Sequence, residues 1–255
     1  RTRHAWPAAH GEPDGAGVAG GRLAAGVRAC GLGDAWGICR WTEGFRWVSA
    51  KAGKRLTRVN TADGSKSTVI TIADVYSTQS QDGLLGMAFQ PNFLKGNNDV
   101  FVAYTYDADP GPAVDRRAKI VRFTYDPATQ TLNRTVDLIA GLPASTDHDA
   151  GRLLVGPDQK LYYSIGDQGN NQFRRTCNTI RSQDLPTAQD VQTRSWETYQ
   201  GKILRLDLDG GIPADNPLIK GVRSHIFTLG HRNTHGQTFA PGCLHCSHDP
   251  VPTSA

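Results

Sequence analysis

Four short polar groups stand apart from the rest of the chain: Gln81-Asp82-Gly83, Asp147-His148, Asp167-Gln168 with Gln172, and His231-Arg232-Asn233. His148 is the best single candidate for acid–base work, because an imidazole ordinarily titrates near neutrality, and Asp147 and Asp167 are placed to orient it. A lone loop histidine is also compatible with a purely structural role. What would turn these scattered residues into one site is a scaffold that gathers distant loops.

The intervening segments supply such a scaffold. Lys54-Arg-Leu-Thr-Arg-Val-Asn60, Lys119-Ile-Val-Arg-Phe-Thr-Tyr-Asp126 and Lys202-Ile-Leu-Arg-Leu-Asp-Leu-Asp209 alternate apolar and polar residues and run into turn chemistry, as strands entering tight turns do. A second repeated word, Ala88-Phe-Gln-Pro91, Leu154-Val-Gly-Pro157 and Thr238-Phe-Ala-Pro241, occurs in step with the first. Its prolines are 66 and 84 residues apart, and the lysines are 65 and 83 apart. Two independent markers thus share a period of roughly 65 residues, read as the blade repeat of a β-propeller, with an insertion around Arg174–Ser195. Residues 41–242 hold only about three such blades.

The 255 residues carry a formal net charge of +4, from 28 Lys and Arg against 24 Asp and Glu, without basic clusters. That argues against a nucleic-acid partner. No apolar run of about 18 residues offers a membrane span, and 28 Gly with 14 Pro imply many turns, as in an all-β protein. Five cysteines form no regular disulfide framework. Residues 1–40, rich in Gly, Ala and Arg, and residues 243–255 follow no strand or helix period. Both are expected to lie outside the propeller domain at 41–242, with 1–40 disordered; out-of-frame translation of GC-rich DNA is one explanation for such ends. No secretory signal is visible.

The words themselves resemble a known family. Gly83-Leu-Leu-Gly-Met-Ala-Phe-Gln-Pro-Asn-Phe93, Asp147-His148-Asp-Ala-Gly-Arg-Leu153, Gly156-Pro-Asp-Gln-Lys-Leu-Tyr-Tyr-Ser-Ile-Gly-Asp167-Gln-Gly169 and Thr228-Leu-Gly-His-Arg232-Asn233 resemble, in order, the soluble quinoprotein glucose dehydrogenases of the glucose/sorbosone dehydrogenase family. The resemblance implies a six-bladed propeller, periplasmic or secreted, that binds pyrroloquinoline quinone (PQQ) and calcium. It further implies oxidation of an aldose at C1 to the lactone, an external electron acceptor, and homodimers in the intact family. By the same resemblance His148 is the general base and Asp167 holds its imidazole. Gln81, Asp147 and Gln172 contact sugar. Arg232 stands beside the reactive quinone carbonyl, and Asn233 touches the cofactor. Phe173 replaces a usually aliphatic residue near the sugar.

The departures bear equally on function. In the family, the oxygens that hold calcium and most of the quinone clamp come from segments beyond the His-Arg-Asn loop. This sequence ends 22 residues after Asn233, in a tail that does not match, so the chain reads as truncated and its calcium ligands are unassigned. Two other readings stay open: a noncatalytic propeller binding a sugar or a protein, and a calcium-dependent lactonase.

Overall fold

Period-two alternation in the sequence becomes three four-stranded antiparallel sheets in the computed structural model, which describes residues 32, 34–40, 44–78, 80–109, 111–172, 175–240 and 243–248. The first sheet is β1 (Ala35–Arg40), β2 (Phe45–Ala50), β3 (Arg55–Asn60) and β4 (Lys66–Thr71), paired in sequence order. The second is β5 (Leu84–Phe89), β6 (Asp99–Asp107), β7 (Arg116–Asp126) and β8 (Thr131–Pro143). The third holds β9 (Leu153–Val155), β10 (Leu161–Ile165) and β11 (Lys202–Leu206). A two-stranded hairpin, β12 (Leu218–Ile219) and β13 (Val222–Arg223), then precedes β14 (Ile226–Leu229), which pairs with β11 and completes that sheet. The last pair is β15 (Thr234–Ala240) with β16 (Cys243–His248).

Both repeated words land at equivalent places. The lysine words mark the third strands β3, β7 and β11, and the proline words mark the first strands β5, β9 and β15. First strands pack side by side, β5 between β1 and β9 with β15 following β9, so the sheets radiate from a common axis as propeller blades do. The inserted residues fall in the β10–β11 connection, which carries the short helix α1 (Ala188–Thr193), capped by Thr187 and Asp190.

The cores lie between blades. In β6, Val100, Val102 and Tyr104 face blade 1 while Phe101 and Ala103 face blade 3, so a strand buried on both faces reads as a continuous apolar run. Trp47 packs edge-on against Phe89, Phe93 and Tyr125 across the first interface. Each such side chain contributes about 1.5–3 kcal/mol by leaving water. Serine hydroxyls add stitches. Ser49 Oγ in β2 accepts from Gly37 N at 2.8 Å and donates to Leu85 O of the next blade at 2.8 Å. Ser164 Oγ in β10 accepts from Arg152 N at 2.9 Å and donates to Thr234 O at 3.0 Å.

The sheets extend past the expected limits of 41 and 242. β1 lies within the Gly- and Ala-rich segment and pairs with β2 from Ala35↔Ala50 to Arg40↔Arg46, while β16 carries residues 243–248 alongside β15. Strand pairing here is set by a neighbour's backbone, and a six-residue strand among glycines shows little alternation of its own.

Candidate active site

Topology gathers the polar words. In an antiparallel blade the connection between strands two and three emerges at the same end as the connection to the next blade. Gln81 (β4–β5), Asp147 and His148 (β8–β9), Asp167 and Gln172 (β10–β11) and Arg232 and Asn233 (β14–β15) all belong to these two classes. The structure therefore brings all seven residues to one end. Phe173 lies outside the described residues.

The loops meet closely because the backbone takes unusual conformations there. His148 and Ala150 adopt left-handed φ values of 53° and 51°, which non-glycine residues rarely visit. Gly166 is required at the exit of β10: a Cβ there would sit 1.8 Å from the His148 carbonyl oxygen.

One hydrogen-bond chain fixes the chemistry. The Arg232 guanidinium, which can only donate, bonds Gln172 Oε1. That orients the Gln172 amide nitrogen toward Asp147 Oδ2 and His148 Nε2, each at 2.9 Å. An amide N–H can only donate, so His148 Nε2 accepts and the ring proton is assigned to Nδ1. Nδ1 faces Asp167 Oδ1 at 2.6 Å, and Gly169 N also donates to that oxygen at 3.0 Å. The accepting nitrogen of His148 thus points away from its carboxylate partner, the arrangement a proton acceptor needs. On the other side, Gln81 Nε2 donates to Asp147 Oδ1 at 2.9 Å, and Gln81 Oε1 accepts from His148 N at 2.9 Å and Asn233 Nδ2 at 3.1 Å. Asp147 so carries an amide donor on each oxygen, an arrangement that sugar hydroxyls can match.

Burial separates the remaining ionisable groups. Asp149, next to the base, is 3% exposed; Oδ1 accepts from Ser145 N at 2.7 Å, and Oδ2 has no hydrogen-bond partner among the described residues. Burial pushes its carboxyl well above the usual value, with Asp82 adding to the rise and Arg116 opposing it. Asp82 is instead paired, to Arg116 Nε at 3.0 Å. His225 is pushed down to about 4 by burial and is bonded to Tyr199 Oη and Gly210 O, each at 3.2 Å, so it serves the core.

The cofactor can be tested against these donors. The Arg232 guanidinium, bonded to Gln172 beside the accepting Nε2 of His148, is a cationic donor of the kind that suits a quinone carbonyl oxygen, while the Asn233 carboxamide is buried and bonded to Gln81 and His235. Calcium differs. Among the described residues no group of three or more His, Cys, Asp or Glu is arranged to hold a metal ion, whereas calcium takes 6–8 oxygens.

Residues 32–245 match the model of the Glucose / Sorbosone dehydrogenase family. The chain belongs to that family. Quinoprotein glucose dehydrogenase B of Acinetobacter calcoaceticus is 44% identical over 198 residues, 76% of this chain and 41% of that protein. Aldose sugar dehydrogenase YliI of Escherichia coli is 27% identical over 208 residues, 81% of this chain and 50% of that protein. The PQQ-bound aldose sugar dehydrogenase of Streptomyces coelicolor superposes with a TM-score of 0.69 at 28% identity, over 86% of this chain and 57% of that one. The fold is accordingly the β-propeller of PQQ glucose dehydrogenases, and this family member spans about half the length of the curated relatives it matches.

Sequence reasoning missed supporting residues. His235, the second residue of β15, bonds Asn233 Nδ2 at 2.9 Å from just inside the strand that follows the His-Arg-Asn loop. Lys51 reaches Ser80 O beside Gln81. No helix among the described residues is long and apolar enough to cross a membrane.

Proposed function

We propose that this chain carries the substrate half of a quinone-dependent aldose dehydrogenase, oxidising a glucose-like sugar at C1 to its lactone. The observation that carries the reading is the His148 pair of contacts: Nδ1 held by Asp167 at 2.6 Å and Nε2 turned toward the amide of Gln172 at 2.9 Å. A sugar hydroxyl that replaces that amide as donor to Nε2 gives up its proton there as the C1 hydride departs. Asp167 stabilises the imidazolium that results. Gln81, Asp147 and Gln172 orient the ring hydroxyls. Arg232 would hold a carbonyl of PQQ, with Asn233 beside it as a cofactor contact; PQQ when bound would supply the hydride-accepting chemistry. The positive charge of Arg232 favours negative charge developing on that carbonyl. No step is assigned to calcium. An external electron acceptor, a periplasmic or secreted location and a homodimer belong to the same reading.

The test is dye reduction by purified chain with glucose, PQQ and calcium, alongside calorimetric binding of glucose to cofactor-free protein. Turnover dependent on quinone, lowered about 10²–10⁴-fold in His148→Ala, is expected. Turnover unchanged in His148→Ala overturns the reading. Hydrolysis of a sugar lactone without quinone would indicate a lactonase, and sugar binding without turnover in a quinone-loaded, full-length version would indicate a binding module.

A further inference from the structure

The contacts that define the sugar site run between two loops. Gln172, on the β10–β11 connection, meets Asp147 and His148, on the β8–β9 connection, at 2.9 Å each. Neither loop is a regular element, and Asn171 and Gln168 on the first have left-handed φ values of 58° and 67°. A hydrogen-bond pattern of this sharpness needs a fastener between the loops.

Arg175 is placed to be that fastener. Its Nη1 donates to Ser145 Oγ at 2.9 Å and to Gln168 O at 2.5 Å, and its Nη2 donates to Thr146 Oγ1 at 3.2 Å. One guanidinium therefore spans both loops. Its backbone closes the turn that presents Gln172: Arg175 N donates to Gln172 O at 2.8 Å, and Asn171 N donates to Arg175 O at 2.9 Å. At the far end, Ser145 Oγ accepts from Asp147 N at 2.9 Å and donates to Asp147 O at 2.8 Å. A movement of the guanidinium is thus passed to the backbone of Asp147 in one step.

Among the described residues no carboxylate pairs with Arg175, and all three of its acceptors are hydroxyl or carbonyl oxygens. Its role is geometric, not charge neutralisation. A planar fork suits three divergent acceptors, whereas a lysine ammonium is a point charge on a flexible stem. We infer that Arg175 is a positioning residue that locks the Gln172 loop onto the Asp147–His148 loop and thereby sets the affinity of the site for aldoses. This rests on the dehydrogenase reading for its substrate, while the clamp itself rests on the contacts above.

The experiment compares the full chain with Arg175→Ala, Arg175→Lys and Gln172→Leu. In the quinone-loaded protein, Arg175→Ala is expected to raise KM for the aldose about tenfold with a smaller change in kcat, and Arg175→Lys to fall between it and wild type. In cofactor-free protein, the ¹⁵N resonance of His148 Nε2, assigned with His148→Ala, is expected to move in Arg175→Ala toward its position in Gln172→Leu, because both lose the amide donor. A resonance unmoved in Arg175→Ala but shifted in Gln172→Leu overturns the clamp, as does an unchanged KM. If wild type shows no aldose turnover, the dehydrogenase reading fails and the resonance still judges the clamp. If Arg175→Ala does not fold, Arg175→Lys is judged by the same two readouts, with a partial shift expected and wild-type values overturning the inference.

Discussion

His148 lies between carboxylates with different environments, and those environments divide the labour. Asp167, bonded to Nδ1 at 2.6 Å, fixes the ring tautomer, while Asp147 is held by the amides of Gln81 and Gln172. Asp167→Asn replaces an acceptor-only group with one that can present N–H to the ring, which favours the wrong tautomer. A loss of about 10³–10⁴ in kcat with little change in KM is expected in steady-state kinetics of the quinone-loaded chain. A loss confined to KM would assign Asp167 to sugar binding. The acids and amides were legible as polar words that the strand pattern left unexplained. Which nitrogen of His148 accepts was not, because it follows from the orientation of Gln172, and that depends on Arg232, 60 residues away.

Elements position the site through close approaches that leave no room for side chains. Gly166→Ala would drive a Cβ against the His148 carbonyl at 1.8 Å, and both partners are backbone. A destabilisation of about 3 kcal/mol is expected in urea unfolding; a variant as stable as wild type would show that the two loops can separate. Ser164 is a gentler case. Its alanine variant leaves Arg152 N and Thr234 O, on successive inner segments, without their shared hydroxyl. That costs about 1–3 kcal/mol in the same measurement, and a loss below about 0.5 kcal/mol would show that the stitch contributes little. Strands β3, β7 and β11 were readable because their alternation and turn residues are local. β1 was not, since its pairing partner supplies the order that its own residues, Ala-Trp-Gly-Ile-Cys-Arg, do not display.

At the scale of the whole molecule, burial of Asp149 ties stability to pH. Its carboxyl is raised above the usual value near 3.8 by burial, against the opposing hydrogen bond from Ser145 N, with Asp82 adding to the rise. The folded chain therefore holds a proton that the unfolded chain releases. The stabilisation is complete below the unfolded value and is lost as pH rises toward the folded one, at up to about 1.36 kcal/mol per pH unit. Asp149→Asn removes this dependence, so its stability relative to wild type in urea unfolding should grow as pH rises from 4; a constant difference would sink the assignment. The sequence by itself determined the blade period and the family, because alternation, turn chemistry and characteristic words are properties of consecutive residues. Only the tertiary structure decided which groups touch: antiparallel strand order sends the β4–β5, β8–β9, β10–β11 and β14–β15 connections to one end, so that Gln81 bonds Asn233 across 152 residues. Hydrogen bonds act over about 3 Å, and no local pattern encodes which distant loops chain folding will bring that close.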